Sequence, residues 1–153
     1  IWGFKFDFKV AEMTAKYQSA CCLMHNRKEA VYDNFLQDMV KDMEESIAIA
    51  RKAGVTDDKI MLDPGVGFGK TYEMNLEAIN HVDVLLPLGF PVLLGTSRKS
   101  VIGNTLNLPV DQRVEGTLST TVIGMLGGCA FVRVHDVKEN KRIIDMTKAI
   151  LNA

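Results

Sequence analysis

Short apolar runs alternate with longer amphipathic stretches along this chain. The apolar runs are 19–24, 60–63, 91–94 and 129–134, each bounded by polar residues, proline or glycine. Continuous apolar runs of this length are typical of strands buried on both faces, whereas apolar residues three and four apart indicate helices. The pattern therefore predicts four strands, each followed by a helix, with one further helix before the first strand.

The amphipathic stretches carry ordinary helix-end signals. They predict five helices, over 7–17, 33–54, 71–85, 110–126 and 138–151. Asp7 and Thr71 are placed to cap the first and third of these, and Gly54 to end the second. A loop is predicted at 104–109, and residues 1–3 have the pattern of the end of a strand.

Strands that alternate with helices through right-handed crossovers form a parallel sheet with helices outside it. An open doubly wound sheet fits this order, but polar residues at every strand end favour half of a TIM-type (β/α)₈ barrel. A whole barrel needs about 250 residues, and this chain has 153. We therefore predict that 1–153 is the C-terminal half of a single barrel domain, with its exposed edges covered by an N-terminal half outside this sequence.

Composition narrows the class of protein. The chain is 47% hydrophobic and 24% charged with a net charge of −1, which is typical of a globular protein and indicates neither a nucleic-acid surface nor a membrane span. Cys21, Cys22 and Cys129 lie in apolar runs without metal-ligand spacing, so they are interpreted as reduced core residues. A cytoplasmic location is the expectation.

The stretch 60–70 is the most informative part of the chain. Its apolar strand ends in Asp63, the pair Pro64-Gly65 breaks the strand, and two further glycines precede Lys70. Ligands of parallel α/β sheets sit beyond the carboxyl ends of the strands, where Asp63 is placed. The spacing from Gly65 to Lys70 is one residue too short for a P-loop. A tight strand-to-helix connection without a ligand is the alternative.

The other strand ends also carry polar residues. Arg133 and His135 are two apart on a strand and face the same way, beside the start of the last helix, which suits an anion. Each residue has a structural alternative: an ion pair between Arg133 and Asp136, a solvated Lys99, and a His25 that only satisfies local hydrogen bonds. No metal-ligand cluster is found in the sequence.

Three stretches, 62–70, 95–100 and 133–139, supported by 22–27, resemble the dihydropteroate synthase family in order and spacing. The resemblance covers essentially the whole chain and matches the C-terminal half of that family's (β/α)₈ barrel. It implies condensation of a dihydropterin pyrophosphate with p-aminobenzoate to give 7,8-dihydropteroate and pyrophosphate, in folate biosynthesis.

The resemblance also implies a pterin pocket. Asp63 would accept hydrogen bonds from the amino-pyrimidine edge of the pterin, and Lys99 would donate to its ring acceptors. Gly95 would admit the flat ring closely, while Met24 and Phe68 would pack against it. Asp63 and Lys99 are the residues to which the resemblance assigns the reaction.

The second substrate and the leaving group have implied positions too. Phe68, Ser97 and Lys99 would border p-aminobenzoate, and Arg133 with His135 would hold the pyrophosphate. Mg²⁺ would be bound through that pyrophosphate, with its protein ligands outside this chain. The family resemblance further implies a homodimer formed through the outer helices.

Two other functions remain open from sequence. One is a pterin-binding methyltransferase domain acting on methyltetrahydrofolate, which shares the barrel and the pterin-binding aspartate. The other is a half-barrel without catalytic activity, because the lid loops of the family and two of its pterin-pocket residues fall outside this sequence. The basic residues of 97–100 and 133–135 favour the synthase.

Overall fold

The computed structural model describes residues 2–153. Its helices α1 to α6 are, in order, Phe8–Lys16, Phe35–Lys52, Tyr72–Asn80, Ser100–Leu106, Val114–Leu126 and Val137–Leu151. Its strands β1 to β4 are Cys21–Met24, Ile60–Asp63, Leu93–Leu94 and Phe131–Val132. Short 3-10 segments are Trp2–Phe4, Asp57–Lys59, Val82–Leu88 and Val110–Gln112.

The four strands are parallel and lie side by side in chain order. β1 pairs with β2 along its whole length, and β3 pairs with β4. A single parallel bridge between Leu62 and Val92 joins the two pairs, with the Leu62 amide donating to the Pro91 carbonyl at 2.9 Å. The predicted α/β class with parallel strands is confirmed.

The hydrophobic core lies between this sheet and the helices. Leu23, Leu62 and Leu94 point to that side and are almost completely buried, and they meet the apolar stripe of α2 that includes Met39 and Met43. Burying one such side chain contributes about 1.5–3 kcal/mol. The core therefore fixes which face of each strand points away from the helices.

The opposite face of the sheet is much less covered. Because side chains alternate along a strand, Cys22, Met61, Leu93 and Phe131 face away from the core, and none of them is buried. Phe131 is 49% exposed. The interpretation of Cys22 as a core residue is therefore wrong, because its side chain lies on the face of the sheet away from the core and is exposed.

The helix ends follow the local sequence. Asp7 caps α1 by accepting from the Lys9 amide, and Thr71 caps α3 by accepting from the Met74 amide, as the sequence predicts. α2 begins at Phe35 with Asn34 as its cap, two residues after the predicted start at residue 33. No helix of residues 2–153 combines the length and the apolar character needed to cross a membrane.

Two predicted elements are wrong. The loop predicted at 104–109 begins too early, because Ser100–Leu106 forms α4, which ends where Asn107 takes up a left-handed conformation. At the start of the chain Trp2–Phe4 is a 3-10 segment with left-handed backbone rather than the end of a strand, and residue 1 of that prediction lies outside the described residues.

Candidate functional site

The carboxyl ends of the four parallel strands meet at one edge of the sheet. The loops that follow β1, β2, β3 and β4 span 25–34, 64–71, 95–99 and 133–136. They hold most of the residues that the sequence analysis singled out. The site is built from the hydrogen bonds and ion pairs that join these loops.

Asp63 is the last residue of β2 and its side chain is only 2% exposed. Its Oδ1 accepts the Gly65 amide hydrogen at 2.7 Å, while Oδ2 lies 3.9 Å from the Arg133 guanidinium. Burial raises the pKa of Asp63, and the Gly65 amide and the charges of Lys99 and Arg133 act in the opposite direction. Asp63 is therefore a buried carboxylate among cations, with one oxygen not engaged by the loop.

Lys99 reaches from the loop after β3 to the loop after β2. Its ammonium donates to the Val66 carbonyl and lies 5.0 Å from the centre of the Phe68 ring, a cation–π arrangement. Burial lowers the pKa of Lys99, and the Asp63 carboxylate opposes that shift. The alternative of a fully solvated Lys99 does not describe this side chain.

Arg133 extends beyond β4 and its side chain is 63% exposed. The guanidinium passes over Gly95, where an added Cβ atom would lie 3.0 Å from Nη2. Met24, the last residue of β1, pairs with Asp63 in the strand ladder and is 5% exposed. The ends of all four strands thus contribute to one group of residues.

Ser97 and His135 form a second group. The Ser97 hydroxyl oxygen accepts the His135 backbone amide at 3.1 Å and lies 2.9 Å from Nδ1 of the same imidazole. The hydroxyl keeps its own hydrogen, which it can donate to Nδ1. In that tautomer Nε2 of His135 carries the ring hydrogen and can act as a donor.

Asp136 pairs with Arg98 rather than with Arg133, so that part of the sequence alternative is wrong. The Arg98 guanidinium binds Asp136 through two hydrogen bonds of 2.5 and 3.1 Å, and it lowers the pKa of Asp136. Arg98 has a left-handed backbone, which Thr117 and Arg113 hold by binding its amide and carbonyl. This pair fixes the loops after β3 and β4 relative to each other.

His25 turns away from this group, and its side chain is fully buried against α2. Its Nε2 lies 2.9 Å from Asp42, and its Nδ1 lies 2.8 Å from the Lys70 ammonium. Burial, followed by the charge of Lys70, lowers the pKa of His25 to about 4. Both ring nitrogens of His25 are therefore used in hydrogen bonds within the protein, which is the structural alternative named for it from sequence.

Lys70 and Asp42 were not singled out by the sequence analysis. One signal was available for Asp42, because a carboxylate three residues after Met39 and next to Met43 falls on the apolar stripe of α2. Nothing in the spacing around Lys70 distinguishes it from an ordinary residue before a helix. No group of three or more acidic, histidine or cysteine side chains in 2–153 is arranged to hold a metal ion.

Comparison with known proteins gives a consistent result. Dihydropteroate synthase of Clostridium beijerinckii is 57% identical over 152 residues, which is 99% of this chain and 56% of that protein. Dihydropteroate synthase of Bacillus subtilis is 49% identical, over 99% of this chain and 53% of that protein. The chain spans about half the length of the curated relatives it matches.

Solved structures agree. Dihydropteroate synthase of Clostridium difficile, crystallised in the presence of pteroic acid, superposes with a TM-score of 0.95 at 45% identity, over 98% of this chain and 57% of that one. The Yersinia pestis enzyme gives a TM-score of 0.95 at 35% identity, covering 100% and 63%. The family described as "Pterin binding enzyme" matches residues 1–135, and the chain therefore belongs to this family of pterin binding enzymes.

Proposed function

We propose that the protein carrying this chain is a dihydropteroate synthase, a transferase of folate biosynthesis. It would condense 6-hydroxymethyl-7,8-dihydropterin pyrophosphate with p-aminobenzoate and release pyrophosphate. The observation that carries the proposal is the buried Asp63 carboxylate, which has cationic neighbours and one oxygen that the loop does not use. The similarity to synthases over almost the whole chain supports it.

The pterin is assigned to the space beside Asp63. The amino-pyrimidine edge of a pterin presents parallel N–H groups, and a carboxylate is an acceptor for both at once. The Lys99 ammonium is adjacent and has three donors, of which the Val66 carbonyl takes one, so it can also serve a ring acceptor. Gly95 and Met24 would border the ring faces.

The pyrophosphate is assigned to Arg133 and His135. The exposed guanidinium of Arg133 can make the two parallel hydrogen bonds that phosphate oxygens favour, and Ser97 leaves Nε2 of His135 as a donor. α6 begins at Val137, immediately beyond. These donors would stabilise the charge that develops as pyrophosphate leaves, so that the aniline nitrogen attacks the cationic pterin carbon.

p-Aminobenzoate is assigned to the space bordered by Phe68, Lys99 and Ser97. The ring of Phe68 offers an apolar wall directly beneath the Lys99 ammonium. Ser97 is bound to His135 and would therefore link the aminobenzoate and pyrophosphate positions. Enclosing the two substrates together would limit attack by water on the pterin cation.

The proposal includes a second half of the barrel. Parallel sheets are normally covered on both faces, and the face carrying Cys22 and Phe131 is only partly covered by residues 2–153. Residues 1–153 would then be the C-terminal half of one (β/α)₈ barrel, with the N-terminal half supplied from outside this sequence. A cytoplasmic location remains a prediction.

A homodimer is proposed through the outer helices. Apolar side chains on α5 and α6 are exposed, including Leu126 at 59%, Met146 at 60% and Ile150 at 62%. Mg²⁺ is the proposed cofactor and would be bound by the substrate pyrophosphate. The described residues offer no ligand cluster for it.

The test is pyrophosphate release that depends on p-aminobenzoate. The full-length protein that carries this chain, called the natural-length protein below, is incubated with dihydropterin pyrophosphate, with and without p-aminobenzoate. Both pyrophosphate and 7,8-dihydropteroate are measured. Formation of both products in equal amounts supports the synthase. Methyl transfer from methyltetrahydrofolate without pyrophosphate release would identify the methyltransferase, and binding of the dihydropterin without either reaction would identify a non-catalytic pterin-binding protein.

A further inference from the structure

Lys70 lies near the end of the loop between β2 and α3, and it is half-buried beneath that loop. Its ammonium donates to the Gly65 carbonyl at 3.0 Å, to the Phe68 carbonyl at 3.0 Å and to Nδ1 of His25 at 2.8 Å. A lysine ammonium has three hydrogens. Burial lowers the pKa of Lys70 to about 7. In the charged form all three hydrogens are used inside the protein, which leaves none for a substrate.

His25 joins Lys70 to α2. The Asp42 carboxylate is an acceptor only, so Nε2 of His25 must carry the hydrogen of the bond between them. In a neutral imidazole Nδ1 is then an acceptor, and it can bind Lys70 only if Lys70 donates. Asp42 thereby sets the tautomer of His25, and that tautomer sets the direction of the hydrogen bond to Lys70.

Asp42 is itself held from two sides. Arg27, in the loop after β1, donates to its Oδ2 at 2.6 Å, and Lys5 lies 3.3 Å from its Oδ1. Burial alone would raise the pKa of Asp42, but the hydrogen bonds from Arg27 and His25 outweigh it and the net pKa is lowered. The carboxylate is therefore ionised and fixed on α2.

The loop held by Lys70 is the one that presents the site. The Gly65 amide positions Asp63, the Val66 carbonyl receives Lys99, and Phe68 lies under the Lys99 ammonium. Lys70 binds the carbonyls on both sides of Val66, at Gly65 and at Phe68. A rotation of these peptide groups would move the acceptor of Lys99 and the ring of Phe68 together.

We infer that Lys70, His25 and Asp42 are positioning residues, a part-buried series of hydrogen bonds from α2 that sets the backbone of 64–69 for substrate binding without contacting substrate. This deepens the proposed function and rests on it. We expect that breaking one of these hydrogen bonds reduces the affinity of the protein for the dihydropterin and for p-aminobenzoate. The affinity for inorganic pyrophosphate, which is assigned to Arg133 and His135, should not change.

The test uses the natural-length protein with Lys70→Met, which keeps the apolar stem and removes the ammonium. Lys59→Met, at a half-exposed lysine just before β2, is the matched control. Dissociation constants are measured for 7,8-dihydropterin and for inorganic pyrophosphate, together with KM for p-aminobenzoate, below the unfolding temperature of each variant. Hydrogen exchange of the peptide covering 64–70 is measured without any substrate.

The expected result for Lys70→Met is faster exchange in 64–70 and a dissociation constant for dihydropterin raised about tenfold or more, with pyrophosphate affinity within twofold of wild type. Unchanged exchange and unchanged dihydropterin affinity would overturn the inference. If Lys70→Met does not fold, Asp42→Asn decides by the same two measurements, because it keeps the side-chain size. Exchange needs no substrate, so failure of the proposed reaction would not obscure its outcome.

Discussion

Replacing Asp63 with asparagine separates the role of this residue in binding from its role in folding. Asparagine has nearly the same shape, so its oxygen can still accept the Gly65 amide hydrogen that now binds Oδ1 at 2.7 Å. Its amide nitrogen then takes the place of Oδ2 and points N–H donors at the space assigned to the pterin. An acceptor is exchanged for a donor at the one position where the ligand offers donors.

The size of the effect follows from the hydrogen bonds lost. A hydrogen bond to a charged group contributes about 1.5–3 kcal/mol, and about 1.4 kcal/mol changes a dissociation constant tenfold. We therefore expect Asp63→Asn to weaken binding of 7,8-dihydropterin by roughly 10- to 100-fold. Pyrophosphate affinity should change much less, because Arg133 and His135 are retained.

The free energy of unfolding should respond in the opposite sense. The folded protein raises the pKa of Asp63 above its ordinary value of 3.8, so the folded state holds this proton more tightly than the unfolded chain does. Ionising Asp63 therefore lowers stability as the pH rises from about 3.8 through the raised pKa. At pH 7 the neutral asparagine avoids that loss, and the variant should be at least as stable as wild type.

Isothermal titration with 7,8-dihydropterin and urea unfolding at pH 7 measure the two effects on the same natural-length protein. Asp58→Asn, at an exposed carboxylate before β2, is the matched control. Wild-type affinity in Asp63→Asn would refute the assigned pterin pocket. Lost affinity together with a large fall in the free energy of unfolding would show instead that Asp63 is mainly structural.

Three further predictions concern the same loops. Lys99→Ala should weaken dihydropterin binding without unfolding the protein, because its ammonium faces the site; titration beside Lys59→Ala checks this, and equal affinities would contradict it. Gly69→Ala should lower the free energy of unfolding by more than the ~1–2 kcal/mol that a left-handed alanine costs, because the added Cβ would lie 2.3 Å from the Arg27 carbonyl oxygen. Urea unfolding measures this, and Gly89→Ala is the control, because a Cβ there has no other atom within 4 Å. The folded protein lowers the pKa of His25 from 6.5 to about 4. Up to about 3 kcal/mol of the free energy of unfolding should therefore be lost as the pH falls from 6.5 to 4. Unfolding measured at pH 4 and pH 7 checks this, because His25→Gln should not show that loss.

Much of the architecture could be predicted from local sequence. The four apolar runs contain the four strands. Asp7 caps α1 and Thr71 caps α3, as predicted. These features depend on side-chain periodicity and on hydrogen bonds to neighbouring amides, which act within a few residues of each other. α4 was missed because its seven residues are too few to show a helical period.

The site was predictable in part. Asp63, Lys99 and Arg133 were predicted as site residues because each lies at or just beyond the end of a predicted strand. In the structure all three lie at one edge of the sheet. The partner of Asp136 was not predictable, because Arg98 and Arg133 are equally plausible until the two loops are placed. The same holds for Lys70, whose acceptors at Gly65 and Phe68 become available only when the loop is bent.

The sequence by itself determined the order of the four strands, the parallel α/β class and the edge of the sheet at which the polar strand-end residues gather. These follow from short-range periodicity and from chain direction, which every strand of a parallel sheet shares. Only the tertiary structure decided which charged groups pair, which way His25 faces and what Lys70 holds. Those choices depend on distances between loops that are far apart in the chain, and burial makes each unpaired alternative costly.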